Sequence, residues 1–189
     1  MSNKVLKSRC RLYLITPPKI VLDSFKDDLA KACDGGDIAC VQLRLKPASR
    51  DEILRAIDTL APIAQERNIA FILNDNPELA AQTACDGVHI GQKDKSYKQA
   101  REIIGKSAVV GVTCHDKRHL AIEAAEKGAD YVAFGAFFST KTKQTSSEVA
   151  PNILETWSTM TTVPCVAIGG ITQENCRPLI DAGADFLAV

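Results

Sequence analysis

Two carboxylates stand just beyond two neighbouring apolar stretches of the sequence. Asp75, with Asn74 beside it, follows the apolar residues 70–73, and Asp94 follows the apolar residues 87–90 after a further 19 positions. That separation is typical of a strand–helix–strand unit, so parallel strands would deliver both carboxylates to the same edge of a sheet. Such a pair suits Mg²⁺, which binds one or two carboxylates together with substrate phosphates. The competing interpretation is that both aspartates cap helices, a position that Asp and Asn favour.

Long polar side chains alternate along the stretch 38–46, which we predict to be the second strand. Gln42, Arg44 and Lys46 are separated by apolar residues, and the two-residue period of a strand puts all three on one face. Two cations that point into a sheet interior need an anionic partner. We therefore expect this face to bind a diphosphate. An edge strand with one solvated face is the alternative.

Hydroxyl, ammonium and glycine residues at the ends of later strands extend this anion-binding pattern. Thr113, near the end of the fifth predicted strand, could donate a hydrogen bond to a phosphate oxygen. Thr140, Thr142 and Lys143 interleave hydroxyls and an ammonium in one loop, which suits a phosphate but is also common in solvated loops. Gly170 precedes a predicted helix N-terminus, which favours anions.

The combined pattern is one cation site between two anion-binding ends. It predicts departure of a diphosphate, a reaction that needs positioning and neutralisation of the leaving group rather than a protein nucleophile. Arg44, Lys46, Thr113 and Lys143 are the catalytic candidates. His115 is a base, a donor or only a polar residue that opens a helix, and we expect His89 to be structural.

Strands and helices alternate along the chain about every 25 residues, which indicates parallel strands with crossover helices. The joints at Asp37, Asp86, Asp130 and Asp185 repeat one pattern, in which small residues close a helix and an aspartate precedes an apolar strand. This repetition predicts an α/β fold, a (β/α)₈ TIM barrel, rather than a flavodoxin-like sheet. The predicted strands are 10–16, 38–46, 70–75, 87–90, 108–114, 131–135, 164–168 and 186–189.

The length and composition predict one domain over residues 1–189 that handles small molecules. Lysine and arginine number 23, as do aspartate and glutamate, so the net charge favours neither nucleic acid nor an anionic membrane surface. No apolar run reaches the length of a membrane span, and residues 1–11 do not resemble a secretory signal. The seven cysteines form no Cys-x-x-Cys pair, which is typical of a reducing compartment and predicts a cytoplasmic location. The number of copies in an assembly stays open, including a homo-oligomer.

The chain stops at Val189, inside the eighth predicted strand and before the helix that normally follows it in a barrel. We therefore expect a barrel truncated within strand eight, without its C-terminal helix. A chain that ends there would have little activity and poor stability.

The sequence resembles the thiamine phosphate synthase family over essentially its whole length. The motifs occur in the order of the family, and together they are highly specific although each is weak. They are VQLRLK at 41–46, LND at 73–75, GVHIGQKD at 87–94, GVTCH at 111–115, GADYVAFG at 128–135, TKTK at 140–143 and AIGGI at 167–171.

The resemblance implies a (β/α)₈ transferase of thiamine biosynthesis that requires Mg²⁺. The family joins 4-amino-2-methyl-5-pyrimidinylmethyl diphosphate to 4-methyl-5-(2-phosphoethyl)thiazole, giving thiamine phosphate and pyrophosphate by a dissociative mechanism. By resemblance, the residues that contact the pyrimidine diphosphate are Gln42, Arg44, Lys46 and Asn74, and the metal ligands are Asp75 and Asp94. The residues that contact the pyrophosphate are Thr113 and Lys143. Those that contact the thiazole phosphate are Thr140, Thr142 and Gly170.

Two positions depart from the family pattern. The family usually has Glu where Leu45 stands, and commonly Arg or another polar residue where Asn76 stands. Leu45 should face the helices and have little effect, whereas Asn76 lies nearer the site. Two alternatives share the fold: a thiazole tautomerase, which would use a histidine at the position of His115, and a non-catalytic thiazole phosphate binding protein.

Overall fold

The computed structural model describes residues 9–139 and 149–189, which form a closed barrel of parallel strands. Each strand pairs with the next one along the chain, and the eighth pairs with the first. The strands are β1 (Arg11–Ile15), β2 (Ile38–Leu43), β3 (Ala70–Asn74), β4 (Gly87–Ile90), β5 (Val109–His115), β6 (Tyr131–Gly135), β7 (Cys165–Ile168) and β8 (Phe186–Ala188). The predicted (β/α)₈ barrel is confirmed.

A helix follows each of the first seven strands and covers the outside of the barrel. The helices are α1 (Leu22–Gly35), α2 (Arg50–Gln65), α3 (Pro77–Ala81), α4 (Tyr97–Ile104), α5 (Arg118–Glu126), α6 (Asn152–Met160) and α7 (Arg177–Asp181). The larger apolar cluster lies between strands and helices and includes Val41, Phe71 and Leu154. A smaller cluster fills the lumen, with Tyr13, Cys40, Ile72, Tyr131, Ala133, Val166 and Ala188 at its centre.

The cysteines contribute to this packing as small side chains. No disulfide joins any of the seven, all of which lie within the described residues. Cys33, Cys40, Cys114 and Cys165 are buried, as is usual for cysteines that act as small hydrophobes. None of the helices in residues 9–139 and 149–189 combines the length and apolar character that crossing a membrane requires.

The repeated helix-to-strand joints have a common hydrogen bond at the N-terminal face of the barrel. The carboxylates of Asp86, Asp130 and Asp185 each accept from the amide of a residue on the preceding strand. The donors are Phe71, Val110 and Cys165, at 2.7, 2.7 and 2.8 Å. Each aspartate thus ties its own joint to the strand before it. Asp37, at the first joint, instead pairs with the Arg11 guanidinium at 2.6 Å.

Asp130→Ala should lower the free energy of unfolding by about 1–3 kcal/mol, because it leaves the amide of fully buried Val110 without its acceptor. The same substitution also removes an acceptor 2.5 Å from the Arg101 guanidinium. Asp37→Ala is the matched control, because it breaks only a partly exposed ion pair, which is worth about 0–1 kcal/mol. Urea unfolding of both variants measures the difference, and equal losses would contradict this account.

The predicted end of the second strand is wrong for an identifiable reason. β2 ends at Leu43, three residues earlier than predicted, because the next backbone amides bond to the loop after β1 rather than to β3. Arg44 N donates to Thr16 Oγ1 at 2.9 Å, and Lys46 N donates to Pro18 O at 3.0 Å. Arg44 and Lys46 therefore stand in a loop beyond the strand.

The first two helices begin in different ways. Ser49 forms a capping box with Glu52 at the start of α2. α1 begins at Leu22 without a side-chain cap. The Ser24 hydroxyl instead donates to the carbonyl of Val21 at 3.1 Å.

Candidate active site

The C-terminal ends of β2, β3 and β4 bring three charged side chains together. The Lys46 ammonium donates a hydrogen bond to the Asp75 carboxylate and forms an ion pair with it. The Asp94 carboxyl group interacts with both Asp75 and Lys46. Partial desolvation and the neighbouring Asp75 carboxylate hold the pKa of Asp94 above its ordinary value, although the Gly91 amide and Lys46 act in the opposite direction. Like charges held this close favour binding of a cation between them.

Neither carboxylate caps a helix. The cap of α3 is Asn76, whose Oδ1 accepts from Leu79 N at 2.9 Å. Asp75 has a left-handed backbone (φ +65°), and its amide donates to the carbonyl of His89 at 2.7 Å, which ties the end of β3 to β4. The capping interpretation is therefore wrong for Asp75, and Asn76 is occupied by its role in α3.

Asp94 closes the turn after β4 instead of opening α4. Its Oδ2 accepts from Gly91 N at 2.7 Å, and α4 has its own capping box between Ser96 and Gln99. The turn holds the carboxylate above the β4 end, on the side of Asp75. The capping interpretation is wrong here as well.

The chemistry of these donors fits a hard divalent cation. Two adjacent carboxylates supply anionic oxygens, and no cluster of three or more His, Cys, Asp or Glu suited to a metal occurs in residues 9–139 and 149–189. A cation held by this pair would take its other ligands from substrate phosphates and water, as Mg²⁺ commonly does.

Two amide side chains lie beside this charged cluster. Gln42 is 2% exposed inside the barrel, and its Nε2 donates to Asn74 Oδ1 at 3.3 Å. Asn74 ends β3 immediately before Asp75. The structure thus brings Gln42, Asn74, Asp75 and Lys46 to one edge, as the spacing predicts, and leaves half-buried Arg44 in the loop between Gln42 and Lys46.

Thr113 is also at this mouth, near the end of β5. His89 Nε2 lies 2.7 Å from its hydroxyl, and Gln92 Nε2 donates to its carbonyl oxygen at 2.5 Å. Gln92 was not among the predicted site residues, although its place two positions before Asp94 is a usable signal. The pairing of β5 with β6 has a register irregularity between Thr113 and His115, and His115 has a left-handed backbone (φ +52°).

Gly170 does not stand at a helix N-terminus, contrary to the prediction. α7 begins only at Arg177, because the Asn175 side chain closes the intervening loop by accepting from Thr172 N at 2.7 Å and donating to Gly170 O at 2.9 Å. Gly170 has φ +62°, and a Cβ there would lie 2.4 Å from Ser139 O. The end of β7 therefore touches the residue before Thr140. Thr140, Thr142 and Lys143 lie outside the described residues.

An apolar cavity of about 320 Å³ lies beside the charged cluster but on the helix side of the barrel. Leu45 borders it and packs against the outer core, which confirms that this residue faces the helices. The cavity touches the polar residues Lys46 and Asn74–Asn76 at one end, and the rest of its lining, including Leu43, Ile53 and Leu73, is apolar. The polar mouth of the barrel, rather than this cavity, suits an anionic substrate.

The pair of hydrogen-bonded tyrosines inside the lumen was not anticipated. The hydroxyls of Tyr13 and Tyr131 lie 2.8 Å apart, and Tyr131 OH lies 2.9 Å from His89 Nδ1. The Tyr131 ring fits because Gly111 stands opposite it, where a Cβ would lie 1.9 Å from the ring. Strand periodicity places both tyrosines inward, but only the closed barrel brings β1, β4 and β6 together.

Comparisons with known proteins give a consistent result. A family profile described as thiamine monophosphate synthase matches residues 12–189. Thiamine-phosphate synthase from Rhodospirillum centenum is 60% identical over 180 residues, which are 95% of this chain and 87% of that protein. The enzyme of the same name from Erythrobacter litoralis is 49% identical over 183 residues, with coverages of 95% and 85%. The solved thiamine phosphate pyrophosphorylase from Pyrococcus furiosus superposes with a TM-score of 0.82 at 29% identity, covering 96% of this chain and 85% of that one.

Proposed function

Because the chain belongs to the thiamine monophosphate synthase family, we propose that its barrel mouth couples the pyrimidine diphosphate to the thiazole phosphate. The chain is an enzyme of thiamine biosynthesis that forms thiamine phosphate. The observation that carries the substrate assignment is the cluster of Lys46, Asp75 and Asp94, which offers both a cation and a pair of carboxylates at one point of the mouth. The tautomerase and the non-catalytic binder find no support among the relatives.

The proposed metal site consists of Asp75 and Asp94, with Mg²⁺ as the ion. When bound, Mg²⁺ neutralises the charge that develops on the departing diphosphate. The Gly91 amide orients the Asp94 carboxylate, and the backbone bond to His89 fixes Asp75. Lys46, which pairs with Asp75 in the described structure, would turn its ammonium to the diphosphate.

The other residues of the mouth would position the pyrimidine diphosphate and release its leaving group. Arg44 and Lys46 bind the diphosphate oxygens, and the Thr113 hydroxyl donates to one of them. The amides of Gln42 and Asn74 orient the pyrimidine. The bond from the pyrimidine methylene carbon to oxygen breaks with both electrons leaving on the diphosphate, and the thiazole nitrogen then donates its electron pair to that carbon.

We assign the second phosphate to the opposite side of the mouth. The backbone of Gly170 lies close to the backbone of Ser139. The residues that follow Ser139 carry hydroxyl and ammonium groups, on Thr140, Thr142 and Lys143. Thr140, Thr142 and Gly170 would hold the thiazole phosphate, with Lys143 reaching the pyrophosphate. The cytoplasmic location and the homo-oligomer stay predictions.

The test is Mg²⁺-dependent coupling by the full chain. Incubation with both substrates should release one pyrophosphate per thiamine phosphate, measured by chromatography and a pyrophosphate assay, and excess EDTA should lower the rate at least about a hundredfold. Restoration by added Mg²⁺ is the control for damage by the chelator. A chain that binds both substrates yet forms no product, or that isomerises the thiazole alone, would contradict the proposal.

A further inference from the structure

A continuous chain of hydrogen bonds runs through the barrel lumen to the active-site mouth. It passes from Tyr13 to Tyr131 at 2.8 Å, from Tyr131 to His89 Nδ1 at 2.9 Å, and from His89 Nε2 to Thr113 Oγ1 at 2.7 Å. At its inner end, Tyr13 packs with Cys40 in the lumen cluster. Tyr13, Tyr131 and His89 are 3%, 6% and 7% exposed, so the chain is shielded from water until it reaches Thr113.

The protons of such a chain are ordered in one of two directions. In the outward direction, Tyr13 donates to Tyr131, Tyr131 to His89 Nδ1, and His89 Nε2–H to Thr113. In the inward direction every donor is reversed, and the Tyr13 proton points away from Tyr131, toward Cys40. A thiol is both a weak donor and a weak acceptor, so Cys40 favours neither order and the group that faces the mouth decides between them.

The two orders also present different groups to a ligand. In the outward order the Thr113 oxygen accepts from His89, and its own proton is left to point at the mouth as a donor. In the inward order its proton is used inside the barrel, and only lone pairs face the mouth. An anion at the mouth attracts the proton and repels the lone pairs. Burial raises the pKa of both Tyr13 and Tyr131, so both hydroxyls keep the protons that they donate.

We propose that His89 and Tyr131 are positioning residues that hold the Thr113 hydroxyl as an outward donor to the departing diphosphate. Tyr131 fixes His89 as the tautomer protonated on Nε2, and His89 in turn fixes the Thr113 proton. The site then has its donor aligned before substrate arrives, which is the arrangement that lowers the barrier for a developing negative charge. This assignment rests on the proposed role of Thr113 at the diphosphate.

The first test reads the tautomer directly and needs no turnover. The ¹⁵N chemical shifts of the two His89 ring nitrogens, in the full chain with and without inorganic pyrophosphate and Mg²⁺, should show Nε2 protonated and Nδ1 unprotonated. A His89→Gln variant, which lacks the ring, identifies the signals. A neutral ring protonated on Nδ1 would overturn the proposal, as would a doubly protonated one, whether or not the enzyme forms thiamine phosphate.

The second test asks whether His89 acts through Thr113. His89→Leu removes the donor and should lower kcat about tenfold, the effect expected of one lost hydrogen bond to a charged group. The KM for the thiazole phosphate should stay within about twofold, because that substrate binds on the other side. His89→Gln keeps an N–H near the position of Nε2 and should recover most of the rate.

A variant that lacks the Thr113 hydroxyl distinguishes a positioning role of His89 and Tyr131 from a role in packing alone. In Thr113→Val, which keeps the shape but lacks the hydroxyl, His89→Leu should change kcat less than about twofold, because the group that it positions is gone. Tyr131→Phe, made both in the native chain and in the Thr113→Val variant, gives a second, independent cycle if His89→Leu folds poorly. Losses of equal size in both backgrounds would overturn the proposal, since His89 and Tyr131 would then act only through the fold.

Discussion

Asp75→Asn is expected to lower kcat about a thousandfold at saturating Mg²⁺, equivalent to about 4 kcal/mol in the barrier. Asparagine keeps the size of the side chain but removes the charge that pairs with Lys46 and faces Asp94. Only one carboxylate would remain for a divalent cation, so the Mg²⁺ concentration for half-maximal rate should rise as well. Initial rates over a Mg²⁺ titration measure both effects.

Asparagine is a better probe than alanine because of the backbone at this position. Asp75 has φ +65°, a left-handed conformation that Asn and Asp tolerate and that costs other residues roughly 1–2 kcal/mol. Asp75→Ala would therefore combine lost metal binding with local strain at the end of β3. With Asp75→Asn, the free energy of unfolding should change little although kcat falls strongly.

Asn76→Ala is the matched control at the next position. It removes the N-cap of α3 and should cost about 1 kcal/mol of stability, yet the Mg²⁺ dependence should remain that of the native enzyme. An Asp75→Asn enzyme with an unchanged Mg²⁺ titration would remove Asp75 from the metal site. A large loss of Mg²⁺ affinity in Asn76→Ala would assign the metal dependence to the α3 terminus instead.

The residues of the charged cluster were predictable because each stands just beyond the end of a strand. Parallel strands deliver their C-terminal ends to one edge, so the spacing of Lys46, Asp75 and Asp94 was enough to bring them together. The repeated joints at Asp86, Asp130 and Asp185 were also visible in the sequence. The physical reason for the repeat was not visible in the sequence, because it is a hydrogen bond to a strand residue some 15 to 20 positions earlier.

The wrong predictions have two physical causes, which are contacts between residues distant in sequence and local side-chain hydrogen bonds that stabilise a loop. β2 ends early because its next amides find partners in the loop after β1, at Thr16 and Pro18. α7 begins late because Asn175 satisfies the loop that the hydrophobic period assigned to the helix. The lumen network joins residues up to 118 positions apart, a distance over which periodicity carries no information.

Gly111→Ala is the second change with a large expected effect, and it acts on the fold rather than on the metal. The added Cβ would lie 1.9 Å from Cζ and 2.3 Å from the hydroxyl oxygen of Tyr131. Such a contact forces the buried ring to move, which costs both packing and the hydrogen bonds to Tyr13 and His89. We expect a loss of about 3 kcal/mol or more in the free energy of unfolding, a large part of the roughly 5–15 kcal/mol that is usual for a domain.

Gly35→Ala is the control for the loss of glycine itself. No heavy atom lies within 4 Å of the position that its Cβ would take, and it ends α1, where alanine is the better helix former. Its stability should therefore stay the same or rise by up to about 1 kcal/mol. Pairing Gly111→Ala with Tyr131→Leu removes the ring that the Cβ meets, so the double variant should be more stable than the sum of the single losses predicts. If the losses in the free energy of unfolding are strictly additive, the glycine is needed for a reason other than contact with the tyrosine. That result would also show that the packing at Gly111 is independent of the hydrogen-bond chain that ends at Thr113.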